Sequence, residues 1–389
     1  MSAEAWLKLA LLSNGISVSP EFSAWFADTA GYVRRRNFYN SPNWSSTDDV
    51  TPPQELLLAG DRPVIVAVNN YGRPAWRLSW SAESGPVVVS QDGDRSHPVE
   101  LISDLAAVRT DNAISRLCNL YGGSALAFFS PRACYFFADG TECGFCSLNG
   151  TARENDEFAA RLTAVDVGDA VKAVVAEHPD EVNQIMIVGG NERDLNRGFR
   201  NQVKLVRAAS LSLEQAGLAD KISVHLVAMP PRDLSIIHEL EDVPNVHVGF
   251  NLEVWDARRF SEVAPGKHAD YTQSEILKAL EYLRDVVGHY RAHSILIAGL
   301  ETPHSTLAGA AALASSGISP IINAYHSDRH SSLGLSIRPT YRQLAEVAAG
   351  LQELHDTYPI KPYWKGCGRN ALDYEAANGM FRSAAPELN

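Results

Sequence analysis

Cysteine is scarce in this chain, with five residues among 389. So few cysteines, and an odd number, do not make the disulfide framework of a secreted scaffold, and we expect reduced thiols in a cytoplasmic protein. Long hydrophobic runs are also lacking, because no stretch approaches the ~20 apolar residues of a membrane span. No segment is rich in lysine and arginine, and the formal net charge is −12, which argues against a nucleic-acid-binding surface.

The remaining composition is that of an ordinary globular chain, with 45% hydrophobic and 21% charged residues. The N-terminal run "MSAEAWLKLALLSNG" is interrupted by Lys8 and lacks a basic start, so it predicts an amphipathic helix and not a signal peptide. We expect three regions. They are an N-terminal α/β region with a small antiparallel sheet (1–115), a region of alternating strands and helices (116–340), and a C-terminal helix and tail (341–389).

Six short apolar runs alternate with helical patterns in the middle region. Their continuously apolar character is typical of parallel strands covered by helices, and such strands need helix-length crossovers. This α/β pattern fits an open doubly wound sheet or most of a barrel. The predicted strands are 124–130, 183–190, 221–229, 246–254, 293–301 and 318–326; the predicted helices are 163–178, 195–217, 232–241, 272–287, 304–316 and 341–358.

Polar residues gather where these predicted strands end. They include "GGN" (189–191), "NLE" (251–253), "GLE" (299–301) and "NAYH" (323–326). Polar side chains within apolar strands are costly unless paired, and active sites of parallel α/β folds lie at the carboxyl ends of the strands. The pattern therefore predicts a single polar site at one rim.

Three cysteines, Cys134, Cys143 and Cys146, follow the first predicted strand in a C-x8-C-x2-C pattern. They could be buried apolar cysteines, or a zinc site completed by Cys118, Cys367 or Asp139. A thioredoxin-like C-x-x-C pair would leave Cys134 unexplained. The fourth interpretation is an iron–sulfur cluster with three thiolate ligands and one iron left open for a substrate or cofactor.

Over roughly residues 124–326, these motifs resemble the radical S-adenosylmethionine (SAM) superfamily. The resemblance implies a partial (β/α)6 TIM-like barrel in which Cys134, Cys143 and Cys146 hold a [4Fe–4S] cluster, with SAM on the fourth iron. It also implies reductive cleavage of SAM to a 5′-deoxyadenosyl radical that abstracts hydrogen from the substrate. The implied SAM contacts are Phe145, Gly189, Gly190, Asn191, Asn251, Glu253 and Glu301. The spacing departs from the usual C-x3-C-x2-C of the superfamily, which leaves the subfamily open.

The resemblance further implies a small-molecule substrate and an external one-electron reductant such as flavodoxin or ferredoxin. We expect an anionic or nucleotide-like metabolite, and a rearrangement, an epimerisation or a sulfur insertion. The predicted substrate residues are His225, Arg258, Lys267, Arg291, His293 and His326. Cys118 and Cys367 are either buried thiols, ligands of a second iron–sulfur cluster, or a hydrogen donor to a substrate radical.

Two alternatives from other classes stay open. One is a zinc-stabilised α/β binding module without redox chemistry, which would contain zinc and be colourless. The other is a phosphate-binding α/β enzyme that uses "GGN" at a helix start, and whose activity would survive substitution of the cysteines.

Overall fold

A computed structural model of the chain describes most of its residues. They are 3–27, 29, 53–60, 62–69, 74–102, 105, 113–154, 158–326, 328, 330–334, 337–366 and 368–383. Cys367, one of the two cysteines outside the C-x8-C-x2-C pattern, lies outside the described residues.

The described residues form two sheets and the helices that cover them. The strands are β1 (Ile16–Val18), β2 (Glu55–Leu58), β3 (Val64–Ala67), β4 (Trp76–Ser81), β5 (Gly85–Ser90), β6 (Ser96–Leu101), β7 (Cys118–Tyr121), β8 (Ala125–Phe129), β9 (Gln184–Val188), β10 (Ser223–Ala228), β11 (Val246–Phe250), β12 (Ala292–Ala298) and β13 (Ser319–Ala324). The α-helices are α1 (Ala3–Asn14), α2 (Pro20–Ala27), α3 (Tyr135–Asp139), α4 (Leu148–Glu154), α5 (Ala164–Glu177), α6 (Leu195–Gln215), α7 (Ala257–Val263), α8 (Pro265–Asp270), α9 (Gln273–Val287), α10 (Pro303–Ser315), α11 (Tyr341–Thr357) and α12 (Asp373–Ala377). Short 3-10 helices lie at Ile114–Arg116 and Leu234–Leu240.

The larger sheet is a partial barrel. Its strands follow chain order from β7 to β13, and β8 to β13 are parallel neighbours joined by helical crossovers. Among the described residues, the two edge strands β7 and β13 do not pair with each other, so the barrel is open between them. The predicted fold class is confirmed, and the alternative of a doubly wound sheet is excluded by this strand order.

The predicted strands and helices of the barrel correspond to observed elements, with one exception, and the short helices α3, α4, α7 and α8 were not predicted. The sequence did not predict β7, which adds an antiparallel strand to β8. The predicted helix 232–241 is instead the 3-10 helix Leu234–Leu240, which Asp233 starts by accepting a hydrogen bond from the backbone N–H of Ser235.

The N-terminal sheet has the order β1-β4-β5-β6-β2-β3 and is antiparallel except for the parallel pair β1–β4. Helix α1 contacts both this sheet, through β3, and helix α11. It is buried from Ala5 to Ser13, so its predicted amphipathic character was wrong: the helix has an apolar neighbour on nearly every side.

Lys8 sits in the middle of this buried helix and is itself inaccessible to solvent. Its ammonium donates to the Glu375 carboxylate at 2.7 Å and to the carbonyls of Gly368 and Ala371, both at 2.7 Å. All three partners belong to the C-terminal tail. The buried charge therefore ties α1 to the tail, more than 350 residues away in the chain.

No helix of the described residues is long and apolar enough to span a membrane.

The tie between α1 and the tail predicts a large stability effect. Lys8→Met leaves the Glu375 carboxylate buried without its cation, and breaking a buried pair in this way typically costs about 3–5 kcal/mol of unfolding free energy. Urea unfolding followed by fluorescence checks this against Lys172→Met, which removes an exposed lysine of α5. The double variant Lys8→Met/Glu375→Met is expected to be more stable than Lys8→Met alone, because no unpaired charge remains. Equal stability of Lys8→Met and Lys172→Met contradicts the prediction.

Candidate active site

The cysteine loop, residues 130–147, connects β8 to α4 at the carboxyl end of the barrel. Cys134 occupies the N-cap position of α3, which ends at Gly140 in the left-handed conformation (φ 67°). Cys143 and Cys146 are joined by a turn in which the Cys146 N–H donates to the Cys143 carbonyl at 2.9 Å. All three thiols are free and partly buried. All three cysteines line the same cavity, so the loop brings them to one side of the barrel.

Gly189 and Gly190, just after β9, support this loop through direct backbone contact. A Cβ atom on Gly190 would lie 2.1 Å from the Ala133 carbonyl oxygen and 2.8 Å from the Cβ of Cys134. On Gly189 it would lie 2.5 Å from the Ser130 backbone. Only glycine allows this approach. The Gly190 N–H then donates to the Pro131 carbonyl at 2.7 Å.

Asn191 completes the contact between β9 and the loop. Its carbonyl accepts from the Tyr135 N–H at 3.1 Å, and its side-chain Nδ2 lies 3.7 Å from the Cys134 sulfur. The "GGN" segment thus fixes the position of the first cysteine.

The segment α7–α8 supports the loop from the other side. The Gly144 N–H donates to the Val263 carbonyl at 2.8 Å, and the Gly266 N–H donates to the Thr141 carbonyl at 3.0 Å. A Cβ on Gly266 would lie 2.4 Å from the Phe136 ring. The loop is therefore held between two glycine contacts.

The protein alone does not favour thiolates in this loop. Burial raises the pKa of the Cys143 thiol far above its usual value, and it raises that of Cys146 to about 12. Both thiols are protonated at neutral pH until a metal displaces the protons, as thiolate ligation requires. Within the described residues, no three His, Cys, Asp or Glu side chains converge as ligands of a single metal ion.

Glu253 reaches the same cavity through an irregularity in the sheet. Gly249 pairs with His293, and Glu253 pairs with Leu296. The chain after β11 therefore advances four residues where β12 advances three, and this one extra residue is the mark of a β-bulge. Glu253 has a positive φ of 68°, which is uncommon for a residue with a side chain. Hydrogen bonds to the backbone of β12 at 2.9 and 2.7 Å hold it there.

Lys267, from α8, pairs with this carboxylate. Its Nζ donates to Glu253 Oε1 at 2.6 Å and to the Asn251 carbonyl at 3.0 Å, and both side chains of the pair are less than one-tenth exposed. Burial lowers the pKa of Lys267, but the neighbouring carboxylate outweighs it and the pKa is raised. Lys267 is therefore charged, and the pair presents two opposite charges beside Cys143.

The three cysteines, the Gly-Gly-Asn segment and the ion pair all line one cavity inside the barrel. Apolar side chains from the strands form its walls, namely Met186, Val188, Val227, Ile295 and Ile297. A cavity with apolar walls and a few convergent polar groups is the usual form of a small-molecule site.

Six of the seven predicted SAM contacts line this cavity: Phe145, Gly189, Gly190, Asn191, Asn251 and Glu253. Glu301 does not. Its carboxylate accepts from the backbone N–H groups of Trp255 and Asp256 at 2.8–3.0 Å and from the hydroxyls of Ser305 and Thr306. These hydrogen bonds connect the chain after β11 to α10. The Glu301 carboxylate is therefore used outside the cavity.

The predicted substrate residues separate into three groups. Lys267 and His326 line the cavity. Arg258 is 88% exposed on α7 and pairs with Glu262, while Arg291 precedes β12 at the amino end of the strands. These two arginines therefore lie away from the cavity. The sequence could not show this, because it does not reveal which way a loop residue points or which strand end it occupies.

His225 and His293 lie below the cavity, within the barrel. Both are 1% exposed and their rings pack 4.3 and 4.4 Å from the Tyr363 ring, which lines the cavity floor. Burial lowers both pKa values well below the usual value, so these histidines are neutral. They support Tyr363 and are separated from the cavity by it.

Cys118 lies in β7, 1% exposed within the hydrophobic core, and does not line the cavity. Its sulfur is 3.6 Å from the Ile114 carbonyl oxygen. The structure does not bring it to the cysteine loop.

The sequence analysis missed the contribution of the C-terminal tail. Tyr363, Trp364, Arg369 and Asn370 line the cavity, although they lie far beyond the last strand. The only signal was composition, since "PYWKGCGRN" (362–370) combines aromatic, basic and amide residues in a tail that follows the last helix.

No family model matches the chain, and no curated protein matches it. Among solved structures, the chain is similar to a radical SAM methyltransferase from Sphaerobacter thermophilus, with 13% identity, a TM-score of 0.46, and coverage of 74% of this chain and 76% of the other. It is also similar to Streptococcus suis SuiB bound to S-adenosylmethionine (15%, TM-score 0.41, 61% and 47%). A third is the radical SAM methyltransferase TsrM from Kitasatospora setae with cobalamin and a [4Fe–4S] cluster bound (14%, TM-score 0.36, 55% and 39%).

The chain spans less than half the length of the two SuiB chains, 46% and 47%. Identities and TM-scores of this size concern the fold alone. They do not assign a function to this chain.

Proposed function

We propose that this chain is a radical SAM enzyme that acts on a small molecule held inside the partial barrel. The observation that supports this most is the meeting of three free thiols and the buried Glu253–Lys267 pair in one cavity at the carboxyl ends of the strands. Three thiols on one loop suit a [4Fe–4S] cluster, which cysteine thiolates hold. Their partial burial beside the cavity suits ligands that release their protons when iron binds.

When bound, the cluster supplies an electron that cleaves SAM to methionine and a 5′-deoxyadenosyl radical, which removes hydrogen from the substrate. The protein's part is to bind, to orient and to exclude water. The walls formed by Met186, Val188, Val227, Ile295 and Ile297 are apolar and carry no titratable group.

The polar residues of the cavity would hold SAM at its two ends. Asn191, beside Cys134, offers its amide to the methionine part of SAM. Glu253 accepts hydrogen bonds from the ribose hydroxyls, and the Lys267 ammonium balances its charge. The Oδ1 of Asn251 accepts from the Ile295 N–H at 3.2 Å, and its Nδ2 is left to donate to SAM. Phe145 would lie against the adenine.

The substrate would then occupy the side of the cavity lined by His326 and the tail. An external one-electron reductant such as flavodoxin or ferredoxin would reduce the cluster. Cys118 gives no support to a second cluster or to hydrogen donation, because it lies in the apolar core. No described residue of the cavity selects between rearrangement, epimerisation and sulfur insertion as the reaction type.

The cluster assignment predicts that Cys146→Ala abolishes both iron binding and SAM cleavage. After anaerobic reconstitution, we expect about four irons per wild-type chain, and 5′-deoxyadenosine after addition of dithionite and SAM. The variant should hold less than one iron and form no 5′-deoxyadenosine, since a thiolate ligand is missing.

Cys118→Ala is the matched control, because it removes a cysteine outside the cavity and should leave both readouts intact. Eight irons that fall to four in Cys118→Ala or in Cys367→Ala would instead indicate a second cluster. Bound zinc in place of iron, with no SAM cleavage, would favour the zinc-stabilised module.

The role of Glu253 predicts a loss of SAM affinity in Glu253→Gln. Removing one charge-assisted hydrogen bond costs about 1.5–3 kcal/mol, which corresponds to roughly 10- to 100-fold in the SAM dissociation constant. Calorimetric titration of the reconstituted protein with SAM measures this. Glu301→Gln serves as the control, since that carboxylate bonds to backbone and hydroxyl groups outside the cavity, and its SAM affinity should stay within about threefold of wild type. Equal losses in the two variants would remove Glu253 from the SAM site.

A further inference from the structure

The open side of the barrel is closed by the tail segment, which the structure describes at residues 363–366 and 368–372. Its residues 370–372 run antiparallel beside the edge strand β13, where the Ala324 N–H donates to the Asn370 carbonyl at 2.8 Å and the Leu372 N–H donates to the Ile322 carbonyl at 3.0 Å. At the opposite edge, the Trp364 ring stacks on Tyr121 of β7 at 4.8 Å. The tail segment therefore bridges the gap between the two edge strands.

This segment is fixed by buried groups from three directions. The Lys8 ammonium binds two of its carbonyls. One oxygen of the Asp373 carboxylate accepts from the N–H groups of Tyr363 and Trp364 at 2.7 and 3.1 Å. Gly368 packs so closely on Trp364 that a Cβ would lie 2.7 Å from the indole ring. The cavity surface formed by the tail segment is consequently preformed.

Two residues that line that surface each have a buried hydrogen-bond donor without a partner among the described residues. Arg369 is 1% exposed and lines the cavity; Glu55 lies 3.2 Å from its Nε, and its guanidinium lies 4.1 Å from the Tyr121 ring centre. Its Nη1 has no hydrogen-bond partner there, and neither has the indole Nε1 of Trp364. A buried donor left unsatisfied costs about 1–3 kcal/mol and more when charged, so two together point to a ligand that supplies acceptors.

Two amides beside these donors also have an unpaired polar atom. Asn323 and Asn370 both line the cavity, and the Oδ1 of each is buried without a partner within the described part of the chain. The oxygen and nitrogen of an amide are interchangeable by rotation, so either side chain can present a donor to a bound anion.

We propose that Arg369 and Trp364 bind a carboxylate of the substrate, whose apolar body lies against the aromatic tail residues. A guanidinium presents a planar fork that matches a carboxylate. Glu55 already offsets part of the guanidinium charge, so a singly charged carboxylate is matched better than a phosphate dianion. This assignment rests on the proposed function, since the same cavity holds the cysteines, and it names the substrate class of that site.

The test uses benzoate as the probe and benzamide, its uncharged isostere, on the reconstituted enzyme with SAM bound. Ligand-observed NMR titration should give tighter binding of benzoate than of benzamide or phenyl phosphate. Arg369→Gln should weaken benzoate by about 10- to 100-fold and benzamide by much less, because a charge-assisted hydrogen bond is lost. Arg200→Gln, which removes an exposed arginine on the outer helix α6, should change neither.

Trp364→Phe is the second variant, because Arg369→Gln also breaks the contact with Glu55 and could fail to fold. It keeps an aromatic ring beside Tyr121 but removes the N–H donor together with part of the indole volume, and it should weaken benzoate by about tenfold and benzamide by much less. Equal binding of benzoate and benzamide by the wild type, or tighter binding of phenyl phosphate, overturns the carboxylate assignment.

SAM affinity is measured on the same variants and should not change. A loss there, with benzoate binding intact, would reassign Arg369 to the cofactor and also overturn the proposal. Absence of SAM cleavage in the wild type would instead count against the proposed function, so the two failures are distinguishable.

Discussion

The contact between two backbones, that of the cysteine loop and that of Gly189–Gly190, determines how the rest of the site is arranged. A Cβ atom on Gly190 would lie only 2.1 Å from the Ala133 carbonyl oxygen. Because neither glycine carries a side chain, the loop lies directly on the end of β9 and Cys134 lies beside Asn191. Any side chain at these positions would push the loop away from the sheet and separate the first thiol from the cavity. Conformational freedom is not the reason for these glycines; their lack of volume is.

Three buried ion pairs fix the remaining geometry. Two of them join segments that are distant in sequence, whereas Glu253 and Lys267 lie 14 residues apart. Glu253–Lys267 joins β11 to α8, Lys8–Glu375 joins α1 to the tail, and Arg369 lies beside Glu55 of β2. Burying charge is costly even when it is paired, so these pairs are weak evidence for stability. Their common effect is positional, since an ammonium or guanidinium accepts few arrangements of its partners. The cavity is thus built from the sheet, α8 and the tail, each held by one charge.

Much of the barrel could be predicted because its signals are local. The strands are continuous apolar runs, and the cysteines and "GGN" follow them within a few residues. Glu301 and Arg291 were misjudged for a physical reason: sequence shows that a residue is near a strand, but not which face or which end it occupies. The contacts of Lys8 with Gly368 and Ala371 span 360 and 363 residues, and no periodicity encodes contacts of that separation. The tail was missed as part of the site for the same reason.

The division of the cavity follows from the incomplete barrel. Strands β8 to β12 and their loops supply the thiols, the Gly-Gly-Asn segment and the Glu253 bulge, all of which would face a cofactor. The gap between β7 and β13 leaves one wall to be supplied by residues outside the barrel, and the tail segment supplies it with Trp364 and Arg369. If the proposed function holds, substitutions in the tail would change which substrate is bound without moving the cysteines. Because Lys8 and Glu55 both reach that wall, the N-terminal region takes part in its position, which gives a physical reason for a second sheet packed beside the barrel.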